Sequence, residues 1–425
     1  MAAGCAEVPR PNVPHLDAST AVIENLRRVA TCTPSGLQQT EGDLCVGVRE
    51  GRVRYVGTRA ALPIEFSNAA RHDAGGRLLS PGLIDCHTHP AFVRSRAEEW
   101  QLKLAGASYE EIAARGGGIL SSAGAVASAG NDALAAATLR NLCALRAHGV
   151  VVAEAKSGYG LSLQHELRQL RAIAWAGEQA EMKTVATCLV AHSLPADRRG
   201  SPELREQFLR EVCTEILPQA ARAQLATRAD VFCERGVFTP EEAHRIGLAA
   251  KAAGLALTVH ADQLSHSGGT RVACELGAQS ADHLEYIDDA DIAALKKSGT
   301  AAVLLPGSTF FLRQDKWAPA RKLIEAGVTV ALATDFNPGS SPICNPTFIM
   351  HLAMRSLGMT WEECLAGFTV NAAKALGLNT AEWGTILPGS RAAFAIWDVE
   401  HPRELPYYVG SNLCAGVITC RGWRD

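Results

Sequence analysis

The chain has 425 residues, of which 47% are hydrophobic and 20% are charged. This composition is ordinary for a globular protein with a sizeable core. The formal net charge of −3 and the lack of a basic stripe argue against a nucleic-acid or anionic-membrane partner.

No stretch of the sequence has the pattern of a targeting or membrane segment. The N-terminus lacks a basic start followed by an apolar stretch of about 7–15 residues, so we expect no secretory signal. Apolar runs are strand-sized, well short of the roughly 18 residues of a membrane helix. The 13 cysteines are scattered singly from Cys5 to Cys420 without a CxxC pair, which predicts reduced thiols in a cytoplasmic protein. Cys86 is therefore expected to be a buried apolar residue rather than a nucleophile.

Residues 20–80 are predicted to form short strands and turns. Two apolar runs, 45–49 and 52–56, flank Glu50-Gly51 in a pattern that predicts a β-hairpin.

From residue 83 onward, short apolar runs alternate with helical stretches. The eight runs are 83–85, 150–154, 185–190, 231–233, 255–259, 280–284, 301–305 and 328–333. Near-continuous apolar strands that alternate with helices predict parallel strands buried on both faces. A (β/α)8 TIM barrel over residues 83–383, within the α/β class, is the natural closure, with a doubly wound open sheet as the alternative.

Several of the intervening helices have start or stop signals. Thr239-Pro240-Glu241-Glu242 has an N-cap, a proline suited to the first helical position and a capping-box glutamate. Other helices are predicted at 167–176, ended by Gly177, at 289–297, and at 318–326, ended by Gly327.

The chain becomes β-like again after residue 384, with runs at 393–398 and 416–420. Each β-rich flank is too short to hold a core alone. We therefore expect residues 1–82 and 384–425 to pair into one small β-sandwich domain beside the barrel.

The first chemical motif is Asp85-Cys86-His87-Thr88-His89, directly after the first run. In an extended segment, residues two apart point the same way, so His87 and His89 present their imidazoles to one point. Neutral imidazole is a common ligand of Zn²⁺ and similar ions. Alone, the pair is explained equally well by surface or core histidines.

The position of this pair adds to its significance, because active sites of this fold lie at the C-terminal ends of the strands. All of these ends except that of the seventh run carry a titratable group. The polar residues there are His87 and His89; Glu154, Lys156 and Tyr159; His192; Glu234; His260, Asp262 and Gln263; His283; Asp335 and Asn337. Purely structural roles stay open for several of these residues. Glu154 and Lys156 can be a buried ion pair, Glu234 a structural carboxylate, and His192 and His283 hydrogen-bonded supports.

The histidines at the first, fifth and sixth strands and the aspartate at the eighth resemble the metal set of the amidohydrolase superfamily. Within it, several stretches resemble the imidazolonepropionases: Lys156-Ser157-Gly158-Tyr159-Gly160-Leu161, His260-Ala261-Asp262-Gln263, and Ala333-Thr334-Asp335-Phe336-Asn337-Pro338-Gly339-Ser340-Ser341. The resemblance covers the whole chain.

The resemblance implies one divalent metal per chain, Zn²⁺ or iron (Fe²⁺ or Fe³⁺), bound by His87, His89, His260 and Asp335. A second metal is not expected, because the fourth strand ends in Cys233-Glu234 and lacks the carboxylated lysine that bridges two metals in other members. The resemblance also implies that the protein forms a homodimer.

The family hydrolyses the cyclic amide bond of 4-imidazolone-5-propanoate to give N-formimidoyl-L-glutamate, the third step of histidine breakdown. The resemblance places contacts to this small substrate at Arg96, Tyr159, His192, Asn337, Gly339 and Ser340. Among these, the planar guanidinium of Arg96 suits the carboxylate tail of the substrate.

The same resemblance leads to a mechanistic hypothesis. Asp335 accepts a proton from water and returns it to the leaving ring nitrogen, while His283 or His192 stabilises the oxygen of the tetrahedral intermediate. Gln263 holds the ring nitrogens by hydrogen bonds. Some family members have glutamate at this position, and because glutamine cannot carry a proton, the proton transfers are left to Asp335 and His283.

Three other classes of function stay open from the sequence. Deaminases of the same superfamily share the metal ligands, but use a glutamate where Gln263 stands. A non-catalytic barrel scaffold typically loses metal ligands, and none is missing here. A metal-binding or sensing protein without turnover would not need Arg96 and Asp335. Ammonia release would favour the deaminase, and failure to bind any divalent metal would favour the scaffold.

Overall fold

The structure, a computed structural model, describes residues 20–33, 36–106 and 117–419. Expectations for the other residues, including Cys5, Cys420 and the absence of a secretory signal, lie outside this described part. Within the described ranges, no helix has both the length and the apolar character needed to cross a membrane.

The described residues contain fourteen strands, numbered here in chain order. They are β1 (Thr20–Thr33), β2 (Gly36–Arg49), β3 (Arg52–Thr58), β4 (Ala70–Pro81), β5 (Leu83–Asp85), β6 (Val150–Lys156), β7 (Lys183–Ala191), β8 (Arg228–Cys233), β9 (Ala256–Ala261), β10 (Ser280–His283), β11 (Ala301–Leu304), β12 (Val330–Leu332), β13 (Ala393–Trp397) and β14 (Cys414–Thr419).

The α-helices of the same residues are α1 (Ala97–Leu104), α2 (Ile119–Ser128), α3 (Asn131–Ala147), α4 (Leu163–Gln179), α5 (Pro202–Glu211), α6 (Leu217–Arg222), α7 (Pro240–Ala252), α8 (Gly269–Glu275), α9 (Asp289–Ser298), α10 (Pro306–Phe311), α11 (Ala320–Glu325), α12 (Pro346–Leu357), α13 (Trp361–Gly367) and α14 (Val370–Ala375). A π-helical turn, Val212–Ile216, joins α5 to α6.

Strands from both ends of the chain form one six-stranded sheet in the order β14-β13-β4-β1-β2-β3. The predicted hairpin is confirmed, since β2 pairs antiparallel with β3 and both turn residues, Glu50 (φ 52°) and Gly51 (φ 70°), are left-handed, as a tight hairpin turn requires. β1 and β2 are longer than expected, at 14 residues each. Register shifts around Leu26 interrupt the alternation along β1, which explains why the sequence looked like shorter strands.

One apolar cluster joins the two ends of the chain within this sheet. It packs Ile23 and Leu26 of β1 with Leu79 of β4 and Phe394 of β13, all nearly or fully buried. Neither flank could form this core alone, which is why they pair. The domain boundaries at residues 82 and 384 stay a prediction.

The eight strands β5 to β12 pair in parallel in sequence order and form a barrel. A bridge between Thr88 and Phe336 joins the two ends, beyond β5 and β12. At this seam, Asp85 accepts hydrogen bonds from the backbone N–H (3.1 Å) and the hydroxyl (2.6 Å) of Thr334. The predicted α/β barrel with a separate sheet from the termini is thus confirmed, and the doubly wound alternative is wrong.

The helix signals are confirmed with one exception. Thr239 and Glu242 form the capping box of α7, and Gly327 follows α11 with a left-handed φ of 76°. Gly177, however, lies inside α4 and does not end it. A Cβ at Gly177 would lie 2.6 Å from Oγ1 of Thr184, so the glycine is there for close packing against β7.

Trp397 joins the six-stranded sheet to the barrel. Its indole packs over Gly149, where a Cβ would come within 2.6 Å of the ring, and its Nε1 donates to Oγ of Ser80 at 2.8 Å. Gly149 also has a left-handed φ of 90°, so both its backbone and its surroundings require glycine.

Candidate active site

Three buried imidazoles converge inside the C-terminal mouth of the barrel. His87 and His89 follow β5, and His260 lies near the end of β9. Nε2 of His87 is 3.3 Å from Nε2 of His89, and one ring nitrogen from each of the three histidines lies within 4.8 Å of the others. All three side chains are almost fully buried.

Two carboxylates determine which nitrogen of these rings faces the centre. Nδ1 of His87 lies 2.6 Å from Oδ2 of Asp282, and Nδ1 of His260 lies 2.8 Å from Oδ2 of Asp230. Because an ionised carboxylate only accepts hydrogen bonds, Nδ1 of His87 donates to Asp282. The negative charge of Asp230 beside His260 favours a proton on Nδ1 of that ring too, so that each Nε2 keeps its lone pair for a metal.

Asp335 brings a carboxylate to the same centre from the end of β12. Its Oδ1 lies 3.6 Å from Nε2 of His87 and 3.5 Å from Nε2 of His89. Burial raises the pKa of Asp335 to about 7. Asp335 also has a left-handed φ of 52°, a conformation that bulkier side chains than aspartate rarely adopt.

The donor set fits a divalent cation. Burial, together with Lys156 for His87 and with His192 for His89, holds the pKa of both imidazoles well below the usual value, so both are neutral. Converging lone pairs and a carboxylate oxygen are the ligands of a tetrahedral metal site. The described residues can therefore bind a divalent metal through three imidazole nitrogens and one carboxylate oxygen.

A buried cation lies behind the two supporting carboxylates. Nζ of Lys156 is 2.8 Å from Glu154 and 2.8 Å from Asp230, and it is 3.9 Å from Asp282. Although burial lowers it, the pKa of Lys156 is raised overall by these acidic neighbours. Glu154 and Lys156 thus form the buried ion pair left open from the sequence, and Asp230 and Asp282, which sequence reasoning missed, belong to the same network.

Two predicted substrate contacts lie beside the metal ligands. The ring of His192 stacks on that of His89 with centroids 5.1 Å apart, and Tyr159 lies 5.5 Å from His192. Burial and the nearby His260 lower the pKa of His192 to about 3.

The loop that carries Tyr159 is fixed by a buried glutamate from α4. The carboxylate of Glu166 accepts the backbone N–H groups of Gly158 (3.1 Å), Gly160 (2.8 Å) and Leu161 (2.8 Å). The carbonyl of Gly158 in turn contacts Nδ1 of His192 at 3.1 Å. Glu166 therefore determines the positions of both Tyr159 and His192.

Arg96 lies over the loop that follows Asp335. A Cβ at Gly339 would come within 1.4 Å of Nη2 of Arg96, so the glycine makes room for the guanidinium. Asn337 shapes this loop by accepting the backbone N–H groups of Gly339 and Ser340, both at 2.8 Å. The structure thus brings Arg96, Asn337, Gly339 and Ser340 together.

The two remaining predicted catalytic residues have different surroundings. The ring of His283 lies 5.3 Å from that of His260 and 5.6 Å from that of His87, measured between centroids. The amide of Gln263 donates to Oγ of Ser308 at 3.2 Å. The buried carboxyl of Glu285, a neighbour of His283, was missed from the sequence because it lies two residues beyond His283, just past the end of the predicted strand.

Two other acidic residues at the strand ends have structural roles. Glu234 accepts the backbone N–H groups of Leu264 and Ser265, and Asp262 accepts those of Gly268 and Thr270. These bonds hold the loop after β9 in place. The structural alternative for Glu234 is therefore confirmed.

Sequence comparison relates the chain to a named enzyme family. A sequence model described as the amidohydrolase family matches residues 78–419. An imidazolonepropionase of Rhizorhabdus wittichii is 46% identical over 385 residues, which is 91% of this chain and 95% of that protein. An imidazolonepropionase of Caulobacter vibrioides is 46% identical and covers 93% of this chain and 97% of that protein.

Solved structures at lower identity share the fold. An adenosine deaminase from Xanthomonas campestris with bound zinc matches with a TM-score of 0.67 at 17% identity, over 94% of this chain and 91% of that one. A guanine deaminase from C. acetobutylicum matches with a TM-score of 0.67 at 14% identity, over 93% of this chain and 99% of that one. At these identities the likeness concerns the fold alone.

Proposed function

The chain belongs to the imidazolonepropionase family of amidohydrolases, and from this membership we propose that it opens the ring of 4-imidazolone-5-propanoate with water to give N-formimidoyl-L-glutamate. It is a hydrolase of histidine degradation. The observation that carries the proposal is the 46% identity to relatives of that name over nine-tenths of the chain. The convergence of His87, His89, His260 and Asp335 supports it, because that set supplies what a metal-assisted hydrolysis needs.

The metal would be bound by these four residues, with one divalent ion per chain. It would supply a Lewis acid and lower the pKa of a bound water towards neutrality. Three imidazoles and a carboxylate suit both zinc and iron, so we propose either as the natural ion. Reconstitution of metal-free protein with each ion, followed by turnover and metal analysis, tests the choice.

The side chains around this centre can carry out the remaining chemistry. Asp335 takes a proton from the attacking water and returns it to the leaving ring nitrogen. His283 or His192 donates a hydrogen bond to the oxygen of the tetrahedral intermediate, and both rings lie within contact distance of the ligand histidines. Gln263 holds a ring nitrogen through its amide, a role that needs no proton transfer.

The substrate carboxylate would bind at Arg96. Its guanidinium is partly exposed, next to the Asn337–Ser340 loop, and it lies close enough to Tyr159 to influence the phenol electrostatically. A planar guanidinium binds a carboxylate through two parallel hydrogen bonds. Arg96 and Tyr159 would therefore hold the propanoate tail while the ring faces the metal.

The direct test is turnover of freshly generated imidazolonepropionate by the purified chain. We expect metal-dependent loss of its ultraviolet absorbance above the non-enzymatic rate, with formimidoyl-glutamate as product and no ammonia. Full metal occupancy without turnover would contradict the proposed substrate, and ammonia release would point to a deaminase instead.

The ligand assignment has its own test in His260→Ala. This variant is expected to lose both bound metal and turnover, whereas His244→Ala on α7, outside the strand ends, is expected to keep both. An inactive His260→Ala protein that still binds a full complement of metal would contradict the assignment.

Family membership also motivates two further proposals. We propose that the chain forms a homodimer and works in the cytoplasm. Light scattering on the purified chain tests the first, and a monomer at micromolar concentration would contradict it.

A further inference from the structure

The chain after β10 is strained next to the active site. His283 and Leu284 have consecutive left-handed φ angles of 84° and 72°. Such conformations are strained for residues other than glycine and are concentrated at functional sites. The residue that follows them, Glu285, is buried with 1% of its surface exposed.

Glu285 and His283 each keep an unpaired polar atom in this buried position. Oε1 of Glu285 accepts the hydroxyl of Thr309 at 2.8 Å, but Oε2 has no hydrogen-bond partner among the described residues. Nδ1 of His283 has none either, and it lies 3.9 Å from Oε1 of Glu285. A buried polar atom without a partner is destabilising, and a hydrogen bond between the carboxyl of Glu285 and Nδ1 of His283 would remove that cost.

Glu285 also lies close to Gln263, whose amide cannot carry a proton. Gln263 donates to Ser308 and Glu285 accepts from Thr309, so both side chains bind to adjacent residues at the start of α10. Among the buried acids at the strand ends, Glu234 and Asp262 are occupied by backbone N–H donors, and Asp230 by His260 and Lys156. Among the described residues, Glu285 accepts the hydroxyl of Thr309 and its own backbone N–H.

The charges that face Glu285 favour its neutral form. Burial raises its pKa to about 8, and the nearby carboxylates of Asp335 and Glu234 add to this rise, while the hydrogen bond from Thr309 opposes it. The other titratable group that faces it is His283 itself. Burial and these carboxylates thus favour the carboxylic acid form of Glu285, which can donate a hydrogen bond.

We propose that Glu285 is the positioning residue of His283: its carboxylic O–H donates to Nδ1 of His283 and keeps the N–H of Nε2 directed at the oxygen of the substrate. This inference rests on the proposed hydrolysis. The separation of 3.9 Å closes by rotation about the terminal carboxyl torsion of Glu285, which has a broad energy minimum.

Three variants separate this role from a structural one. Glu285→Leu removes the donor. Glu285→Gln keeps an N–H donor for Nδ1 but cannot ionise. Glu234→Gln is the matched control, a buried glutamate at the strand ends whose hydrogen bonds go to a loop. Rates of imidazolonepropionate turnover between pH 6 and 10, metal content and Tm are measured for all three and for the wild type.

For Glu285→Leu we expect kcat to fall about 10–100-fold with KM and metal content unchanged, the usual effect of losing a residue that orients another. Glu285→Gln is expected to lose much less, and to lack the wild-type decline in kcat above about pH 8. Glu234→Gln is expected to lower Tm alone. Wild-type kcat in Glu285→Leu, equal losses in both Glu285 variants, or a wild-type alkaline decline in Glu285→Gln would each overturn the proposal.

A second measurement does not depend on turnover. In zinc-loaded protein with ¹⁵N-labelled histidine, the His283 signals are assigned by their loss in His283→Asn. We expect the Nε2–H tautomer in the wild type and a shift towards Nδ1–H in Glu285→Leu. The same tautomer in both proteins would overturn the role of Glu285, whereas absence of wild-type turnover would overturn only the proposed reaction.

Discussion

Two of the candidate metal ligands, His87 and His260, each have a carboxylate close to Nδ1, from Asp282 and Asp230 respectively. These carboxylates have two effects. They fix the tautomer of His87 and His260, and their negative charge increases the basicity of the ring nitrogen that faces the metal. Lys156 compensates the charge of both carboxylates, which allows them to stay ionised in the barrel interior.

This arrangement predicts the effect of Asp282→Asn on metal binding. The variant keeps the shape of the side chain but loses the charge that polarises His87, so zinc affinity is expected to fall about 10–100-fold. Competition with a chromogenic chelator measures the change. Asp289→Asn at the exposed start of α9 is the control and is expected to bind zinc as the wild type does. Equal affinity in the two variants would contradict the role of Asp282.

Protonation of His192 predicts acid sensitivity of the metal-free protein. Its folded-state pKa of about 3 lies below the value of about 6.5 in an unfolded chain. As the pH falls below 6.5, the unfolded state therefore binds more protons, and the free energy of unfolding falls. Between pH 7.5 and pH 5 this group alone removes about 2 kcal/mol. Urea titrations of wild type and His192→Gln at both pH values test this, and parallel losses would contradict it.

The sequence pointed to the residues at the centre of the site but not to the carboxylates that hydrogen-bond or ion-pair with them. His87, His89, His260 and Asp335 were singled out because they fall at the ends of predicted strands and because that set resembles the metal ligands of the amidohydrolases. Asp282, by contrast, lies 195 residues from His87 along the chain, and no local pattern signals a pairing at that separation. The available signal for Asp230 and Asp282 was a charged residue inside an otherwise buried strand.

At the scale of elements, the loop between β6 and α4 depends on one carboxylate. Glu166 satisfies three backbone N–H groups that burial would otherwise leave unpaired. Glu166→Ala is therefore expected to destabilise the protein by about 3 kcal/mol or more. It should also raise KM, since Tyr159 loses its fixed position.

Chemical denaturation and steady-state kinetics measure both effects. Gln164→Ala, at an exposed position of the same helix, is the control and should change neither quantity. Unchanged KM in a destabilised Glu166→Ala protein would mean that Tyr159 does not contact the substrate.

The elements themselves were largely predictable because burial on both faces gives the barrel strands a clear sequence pattern. All eight runs correspond to observed strands, with differences of up to three residues at their ends. The pattern failed where packing decided the outcome. Gly177 looks like a helix end in the sequence, but its role depends on Thr184 on a neighbouring strand.

At the scale of the whole molecule, Trp397 is the largest side chain buried between the sheet and the barrel. Trp397→Ala removes the contact with Gly149 and the hydrogen bond to Ser80, so we expect a loss of about 3–5 kcal/mol in the free energy of unfolding. Metal stoichiometry should not change, because the ligands lie at the opposite end of the barrel strands. Thermal unfolding of this variant beside Trp175→Ala, whose indole is 43% exposed, measures the difference.

The seam of the barrel has a consequence for the order of assembly. His87 and His89 follow the first barrel strand and Asp335 follows the last. These ends are connected by the Thr88–Phe336 bridge, by backbone hydrogen bonds from Asp335 to His87 (3.0 Å) and from His89 to Phe336 (2.9 Å), and by Asp85. A chain growing from the ribosome cannot complete the metal site until its last barrel strand has emerged and closed on the first. Metal binding at these residues would therefore follow barrel closure, and a bound ion would then hold the first and last barrel strands together.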